Sequence, residues 1–272
     1  MQPVGQPDDN LYTSDAYIAK NPTLHAEDSP WKASKILPLV DLVAPRLGRR
    51  EIVLLDVGGG AGLILRAVAE HLERAHGLRV RKYALDLSPG MLDVQRRSNP
   101  DLARALREDI RATSLGDREV DIVLMIDVLE HVPEPARALA EIRRISRHAI
   151  FKVPLECNLY FCALNVAKCG RLRTRMRERN GHINVYTCRG LERLLVASGG
   201  TIIARSFTNT FAYRRASAML SRSRADRIAD VLGAALFRVS PWLAAALFPD
   251  CALILVDYGE RPGERGSDTI SC

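Results

Sequence analysis

The hydrophobic positions of the chain form short apolar runs that alternate with longer segments of helical periodicity. Segments of strand length occupy residues 51–57, 79–86, 103–109, 120–126 and 148–153, and those at 51–57 and 120–126 are mostly apolar. Segments whose apolar residues recur three and four positions apart predict helices at 63–76, 88–98 and 134–146. Strands that alternate with helices favour a parallel sheet covered on both faces, because parallel neighbours need a crossover connection.

The regular alternation ends at Pro154. Residues 155–186 form an Arg-rich insertion, and residues 213–248 form a second, largely helical insertion near the C-terminal end. Two further apolar runs, at 201–207 and 252–257, predict the last strands of a seven-stranded, doubly wound, Rossmann-like α/β fold. We expect this sheet to be mostly parallel, with residues 252–257 inserted antiparallel at one edge.

The two ends of the chain are more polar than the predicted sheet. Residues 1–47 are expected to form an N-terminal arm and a cap helix that bends near Pro38. Residues 48–258 are expected to be one domain that carries both insertions, and residues 259–272 a disordered tail. The N-terminus lacks a basic region followed by an apolar one, which argues against a signal peptide and favours the cytoplasm.

A glycine-rich loop stands where the first predicted strand meets the helix that follows it. Its sequence, Asp56-Val57-Gly58-Gly59-Gly60-Ala61-Gly62, lets the backbone turn sharply and approach a ligand closely, since glycine has no Cβ. A dinucleotide-binding loop reads G-x-G-x-x-G, and here Leu63 occupies the third glycine position. The observed pattern, Asp-x-Gly-x-Gly-x-Gly, instead resembles the first motif of class I S-adenosylmethionine (SAM)-dependent methyltransferases.

The resemblance implies a SAM site along the carboxyl ends of the strands. The carboxylate of Asp56 would help to hold the methionine part of the ligand, Asp86 would accept both ribose hydroxyls, and Asp109 would lie near the adenine amino group. The residues expected to bind the cofactor are Asp56, Gly58, Gly60, Gly62, Asp86, Asp109, Asp127 and Glu130. NAD enzymes use an acid at the position of Asp86 too, so an NAD-dependent oxidoreductase remains an alternative.

A second motif follows the fourth predicted strand. The stretch Asp127-Val128-Leu129-Glu130-His131-Val132 resembles the V-L-E-H-V pattern of the small-molecule branch of that family. The Pro-Pro-aromatic motif common in nucleic-acid and protein amino-methyltransferases is missing from this position, which disfavours a nucleic-acid acceptor. Residues 181–187 resemble a family segment on the substrate side, and Tyr12 and Tyr17 belong to an arm that closes over the cofactor in relatives.

The candidate catalytic residues are two histidines. Methyl transfer to a hydroxyl needs a base whose pKa lies near the working pH, which suits imidazole. His131 is the first candidate, because it follows the fourth strand at the ligand edge, and His182 is the second. A helix-capping or loop-packing role for His131 is the structural alternative. No base is needed if the acceptor is an amine or a carbon.

Charge and cysteine content add little that is specific. The net charge is +7, but two stretches, 165–182 and 214–227, carry an excess of +5 and +4, so the rest of the chain is slightly acidic. Either stretch is a binding face or simply a solvated surface. Cys157, Cys162 and Cys169 lack metal-site spacing and are expected to be reduced thiols, with a zinc site as the less favoured alternative.

The sequence therefore favours a SAM-dependent methyltransferase that acts on a small-molecule or lipid-like acceptor, with O-methylation preferred. A non-catalytic binding module of the same fold and an RNA methyltransferase remain alternatives. The apolar second half of 213–248 predicts a lid over the active site, an interfacial helix at an anionic membrane, or a dimer interface. The sequence identifies no acceptor.

Overall fold

The computed structural model describes residues 21, 23–24, 26–216 and 224–259. The N-terminal arm with Tyr12 and Tyr17, and the tail from residue 260 onward, lie outside the described residues. The strands are β1 (Glu51–Val57), β2 (Arg79–Leu85), β3 (Arg104–Leu106), β4 (Val120–Ile126), β5 (Ser146–Leu155), β6 (Thr201–Phe207) and β7 (Asp250–Asp257).

Helices precede, connect and follow these strands. They are α1 (Ser29–Val43), α2 (Leu63–His76), α3 (Pro89–Ser98), α4 (Pro135–Ile145), α5 (Leu159–Ala167), α6 (Arg171–Asn180), α7 (Cys188–Ala197), α8 (Thr210–Ala216), α9 (Arg224–Val239) and α10 (Pro241–Leu247). Helix α1 runs through Pro38 and stops at Val43, where a 3-10 turn at Ala44–Arg46 replaces the longer helix expected from the sequence. Among the described residues, no helix combines the length and apolarity needed to cross a bilayer.

The strands form one sheet in the order β3-β2-β1-β4-β5-β7-β6. Strands β1 to β5 pair in parallel, whereas β7 is antiparallel to both β5 and β6. The predicted seven-stranded, mostly parallel sheet is thus confirmed, and the antiparallel strand lies between β5 and β6, so that β6 is the edge strand. Strands β5 and β6 consequently point the same way as β1 and β4, and both insertions leave the sheet at its carboxyl edge.

Side chains alternate across β1 and feed two apolar layers. Val53, Leu55 and Val57 pack with α4 and α7 on one face of the sheet. Ile52 and Leu54 pack with α1 and α2 on the other. Because strand residues point to opposite faces in turn, a strand covered on both sides must be apolar throughout, as residues 52–55 are. The loop after Val57 therefore starts from a rigid position at the centre of the sheet.

Candidate active site

The glycine loop links β1 to α2 at the carboxyl edge of the sheet. The Gly58 amide donates a hydrogen bond of 2.8 Å to the Leu85 carbonyl, which ties the loop to the end of β2. At Gly58 the φ angle is +63°, and a Cβ there would lie 2.8 Å from Cγ2 of Val128. Both the backbone conformation and the close neighbour exclude a larger residue, so the loop keeps an open concave backbone.

Two carboxyl groups, the buried Asp56 and the partly buried Asp86, lie beside this loop. Burial, followed by the charge of Asp86, raises the pKa of Asp56 to about 8. Burial raises the pKa of Asp86 to about 6, although the amide of Ser88 donates to its Oδ1 atom at 2.9 Å. Oδ2 of Asp56 has no hydrogen-bond partner among the described residues. A bound cation or hydroxyl donors would stabilise the ionised forms of these two carboxyls. The sulfonium, ammonium and ribose of SAM offer such groups.

Asp56 is placed beneath the loop rather than on its open side. A Cβ at position 59 would lie 2.1 Å from Oδ2 of Asp56, so Gly59 covers the carboxyl directly. Asp56 is 1% exposed, so the loop backbone separates its carboxyl from a ligand on the open side of the loop. Asp86, which is only partly buried, is the more accessible partner for a ligand.

Asp109 occupies a turn after the short edge strand β3. Arg111 donates to both of its carboxylate oxygens, at 3.0 Å and 2.7 Å for the Oδ2 contacts. Burial opposes ionisation of Asp109, but the hydrogen bonds from Arg111 prevail and lower its pKa. Any contact of this carboxylate with an adenine amino group would therefore compete with an existing ion pair.

Asp127 forms an ion-pair network with two lysines that sequence reasoning missed. Lys32 of α1 lies 3.0 Å from Oδ2 of Asp127, and Lys152 of β5 pairs with Oδ1. Burial opposes the charge of Asp127, but the two lysines outweigh it and lower the pKa of that carboxyl. Lys152 interrupts the apolar run 149–155, which is the sequence signal that could have predicted a buried acidic partner. The network joins the N-terminal helix to the centre of the sheet.

Glu130 is buried behind the second motif. Its carbonyl accepts hydrogen bonds from the amides of Ile183 and Asn184, at 3.0 Å and 2.9 Å. Its Oε2 atom has no partner among the described residues, and Oε1 lies 3.9 Å from Nε2 of His131. Burial and the neighbouring charge of Asp127 raise the pKa of Glu130 well above its usual value. The motif after β4 is thereby joined to segment 181–187, as both sequence motifs require.

The two candidate histidines meet at this point, with ring centroids 4.8 Å apart. Nδ1 of His131 lies 3.1 Å from the Gly181 carbonyl, which can only accept, so this nitrogen carries the proton. Burial lowers the pKa of His131 to about 4. Nδ1 of His182 instead donates to Oε1 of Glu156, a residue that the sequence did not single out. A carboxylate that accepts the Nδ1 proton of an imidazole fixes the tautomer and leaves Nε2 facing away as the unprotonated nitrogen.

Two clusters among the described residues have the spacing that a metal ion needs. One is Glu130, His131 and His182, whose ligand atoms lie within 4.8 Å of one another, and the other is Asp41, His71 and His76. Neither cluster includes the cysteines considered above, and Cys157, Cys162 and Cys169 are exposed free thiols.

Comparison with known proteins identifies the centre of the chain. Residues 55–149 match the family model described as a methyltransferase domain. The ubiquinone biosynthesis O-methyltransferase of Thiobacillus denitrificans is 33% identical over 112 residues, which are 39% of this chain and 43% of that protein. The demethylmenaquinone methyltransferase of Renibacterium salmoninarum is 36% identical over 109 residues, or 40% and 41% of the two chains. The chain thus spans less than half the length of these curated relatives.

Solved structures share the fold at low sequence identity. The geranyl diphosphate C-methyltransferase of Streptomyces coelicolor superimposes with a TM-score of 0.52 and 12% identity, over 82% of this chain and 80% of that one. The cyclopropane synthase MmaA2 of Mycobacterium tuberculosis gives a TM-score of 0.53 and 18% identity, over 81% of this chain and 83% of that one. Residues 55–149 are thus similar to a methyltransferase domain, and the sheet shares the fold of solved methyltransferase structures.

Proposed function

We propose that the chain transfers a methyl group from SAM to a small-molecule or lipid-like acceptor. The carboxyls of Asp56 and Asp86 beside the open glycine loop carry this proposal. Burial raises the pKa of both groups, and a bound ligand with a positive charge and hydroxyl donors would stabilise their ionised forms. When bound, the cofactor supplies a methyl group activated by a sulfonium. Asp86 would accept the ribose hydroxyls, and the loop backbone at 58–62 would hold the methionine part over Asp56.

The names of the relatives support an acceptor of modest size and leave the accepting atom open. They include an O-methyltransferase of ubiquinone biosynthesis, a demethylmenaquinone methyltransferase and the N,N-dimethyltransferase of a dTDP-amino sugar from Streptomyces fradiae. We favour oxygen for this chain because His131 and His182 meet at the substrate side of the site, where a hydroxyl would have to lose its proton.

Within that pair, the geometry favours His182 as the base. Its Nδ1–H faces the Glu156 carboxylate, which fixes the tautomer and leaves Nε2 to take the proton of the acceptor. His131 faces a neutral carbonyl and has a pKa near 4, so it binds a proton weakly at neutral pH. We therefore assign His131 to positioning and polarity beside His182, and His182 to proton removal.

Label transfer tests the proposed activity. The protein is incubated with fractionated cell extracts and SAM that carries a labelled methyl group, and products are identified by mass spectrometry. We expect label in a small or lipid-like molecule. A sample that binds SAM but labels no component of any fraction would support the alternative of a non-catalytic binding module, and label in RNA would contradict the proposed acceptor class.

A further inference from the structure

Helix α5 is mostly apolar but buries none of its residues. Its sequence, Leu-Tyr-Phe-Cys-Ala-Leu-Asn-Val-Ala, would predict a core helix, yet Leu159 is 63% exposed and Val166 is 78% exposed. Exposed positions 159, 162–163 and 166 recur at helical spacing, so they form one stripe on the outer side of the helix.

Helix α9 presents a second apolar stripe. Ile228, Val231, Leu232 and Val239 are all at least half exposed. Val231 and Leu232 lie three and four residues after Ile228, and the exposed Ala235 links Leu232 to Val239 at the same spacing. The opposite side of the helix is fixed to the protein, since a Cβ at Gly233 would lie 2.5 Å from the ring of Phe211. The apolar side therefore faces outward because the other side is already packed.

The two helices are held together in the fold. The Tyr160 hydroxyl of α5 donates to Oδ1 of Asp226 in α9 at 2.9 Å. The same ring lies 6.0 Å from that of Phe248, which follows α10. The stripes consequently lie on neighbouring helices, and we call them together the α5–α9 face.

Positive charge borders the α5–α9 face. Helix α6 follows α5 directly and exposes Arg171, Arg173, Arg175 and Arg177, while α9 exposes Arg224, Arg227 and Arg238. The two acidic residues of α9 are engaged inside the protein, Asp226 by Tyr160 and Asp230 by Arg214 at 2.8 Å. Apolar side chains flanked by arginines match the interface of an anionic bilayer.

The α5–α9 face is connected to the candidate active site. The insertion that carries α5 and α6 begins beside Glu156 and ends beside His182, and these two residues hydrogen-bond to each other. The base of the helical hairpin is thus the proposed catalytic pair itself, and whatever covers the hairpin also covers the acceptor side of the sheet.

We propose that the α5–α9 face docks on an anionic lipid bilayer, and that the acceptor reaches His182 from that bilayer. The choice of acceptor rests on the proposed function, whereas docking itself does not. A second copy of the chain is a poorer occupant, because a two-fold contact would bring the arginines of α6 and α9 against their own equivalents.

Vesicle co-sedimentation of the full chain tests the docking. The vesicles contain either phosphatidylcholine alone or phosphatidylcholine with about 30% of the anionic lipid phosphatidylglycerol. We expect the protein to bind the anionic vesicles, and we expect added salt to weaken this binding. The substitutions Arg173→Gln and Arg175→Gln should each lower the affinity for these vesicles about fivefold. Val166→Asp with Val231→Asp should reduce binding at least tenfold, since each places a charge in the apolar stripe.

The matched control is Val196→Asp. Val196 is 54% exposed on α7, outside the α5–α9 face, and its substitution should leave vesicle binding unchanged. Thermal melts confirm that each variant folds. Absence of wild-type binding to anionic vesicles at low salt would overturn the proposal, as would an equal loss in Val196→Asp or a dimer in light scattering that Val231→Asp dissociates.

Calorimetry with SAM on the same samples separates the two proposals. Wild-type protein that binds SAM but does not bind anionic vesicles would count against docking alone. SAM binding absent while vesicle binding persists counts against the proposed function and leaves the docking surface supported.

Discussion

The two halves of the sheet build their parts of the site in different ways. Around β1, β2 and β4, the candidate ligand groups come from strand ends and short loops, as Asp86 and the loop 58–62 do. Around β5, β7 and β6, they come from long insertions, and Glu156 reaches His182 only across the α5–α6 hairpin. In the first half, the strands that carry these groups are covered on both faces of the sheet. In the second half, the groups depend on helices with exposed apolar faces.

This difference separates cofactor binding from acceptor choice. A rigid half can present the same loop to the same ligand in many enzymes, because its geometry follows from sheet packing. The insertions can change without disturbing it, since they leave the sheet at its carboxyl edge. Substitutions in one half should therefore change one step and spare the other, and that independence can be measured.

The largest expected effect is in the cofactor half. Asp86→Ala removes a pair of charge-assisted hydrogen bonds worth roughly 1.5–3 kcal/mol each, so SAM affinity should fall by about 10²–10⁴. Isothermal titration calorimetry measures the change. Asp93→Ala, at an exposed carboxylate paired with Arg96, is the control and should bind SAM like the wild type. Unchanged affinity in Asp86→Ala would remove Asp86 from the site.

In the acceptor half, His182→Ala should lower turnover with a hydroxyl acceptor by about 10²–10⁴ while SAM affinity stays the same. His131→Ala should lower it less, because burial already makes that imidazole a weak base. Glu156→Gln should cause an intermediate loss, since it removes only the orienting carboxylate. A greater loss in His131→Ala than in His182→Ala would reverse the assignment of the base.

The Asp127 network joins the two halves, and its loss should destabilise both. Asp127→Ala leaves Lys152 buried without its partner, which should lower the free energy of unfolding by about 3 kcal/mol. Denaturant titration measures this change. Arg66→Ala, in an exposed ion pair with Glu70, should change stability by less than about 1 kcal/mol. Equal changes in the free energy of unfolding for the two substitutions would mean that the buried network stabilises the fold no more than an exposed ion pair does.

The smallest expected change, per pH unit, is that in the stability of the ligand-free protein. Because the pKa values of Asp56 and Asp86 are raised to about 8 and about 6, their protonated forms stabilise the fold fully below pH 4. This contribution is lost as the pH rises through 6 and then 8, at no more than about 1.4 kcal/mol per pH unit for each group.

Asp56→Asn should flatten the decline between pH 6 and 8 in pH-resolved denaturant titrations. Asp93→Asn serves as the matched control and should keep the wild-type slope. Curves for wild type and Asp56→Asn that run parallel over this range would show that the buried carboxyl does not titrate there.

The cofactor half could be predicted closely from the sequence because its signals are local. Residues 51–57 and 120–126 are strands with the expected bounds, since strands buried on both faces are continuous apolar runs. The edge strand β3 is shorter than the expected 103–109, because it pairs on one side only and Asp109 turns away to meet Arg111.

The remaining contacts could not be predicted from patterns along the chain. Lys32 and Asp127 belong to different elements, and Glu156 and His182 lie 26 residues apart. Such pairs become neighbours only when the sheet and its insertions pack, and no periodicity encodes them. The exposure of α5 could not be predicted either, because an apolar helix sequence indicates burial unless the fold leaves one side of the helix uncovered.

The central claim is that the glycine loop and Asp86 form a SAM site, and calorimetry with SAM and with NAD tests it most directly. Both ligands are titrated into the wild-type protein at one pH and one salt concentration. SAM should bind at one site per chain, and NAD should produce no saturable heat, since Leu63 stands where a dinucleotide loop has its third glycine. Saturable binding of NAD without binding of SAM would contradict the account.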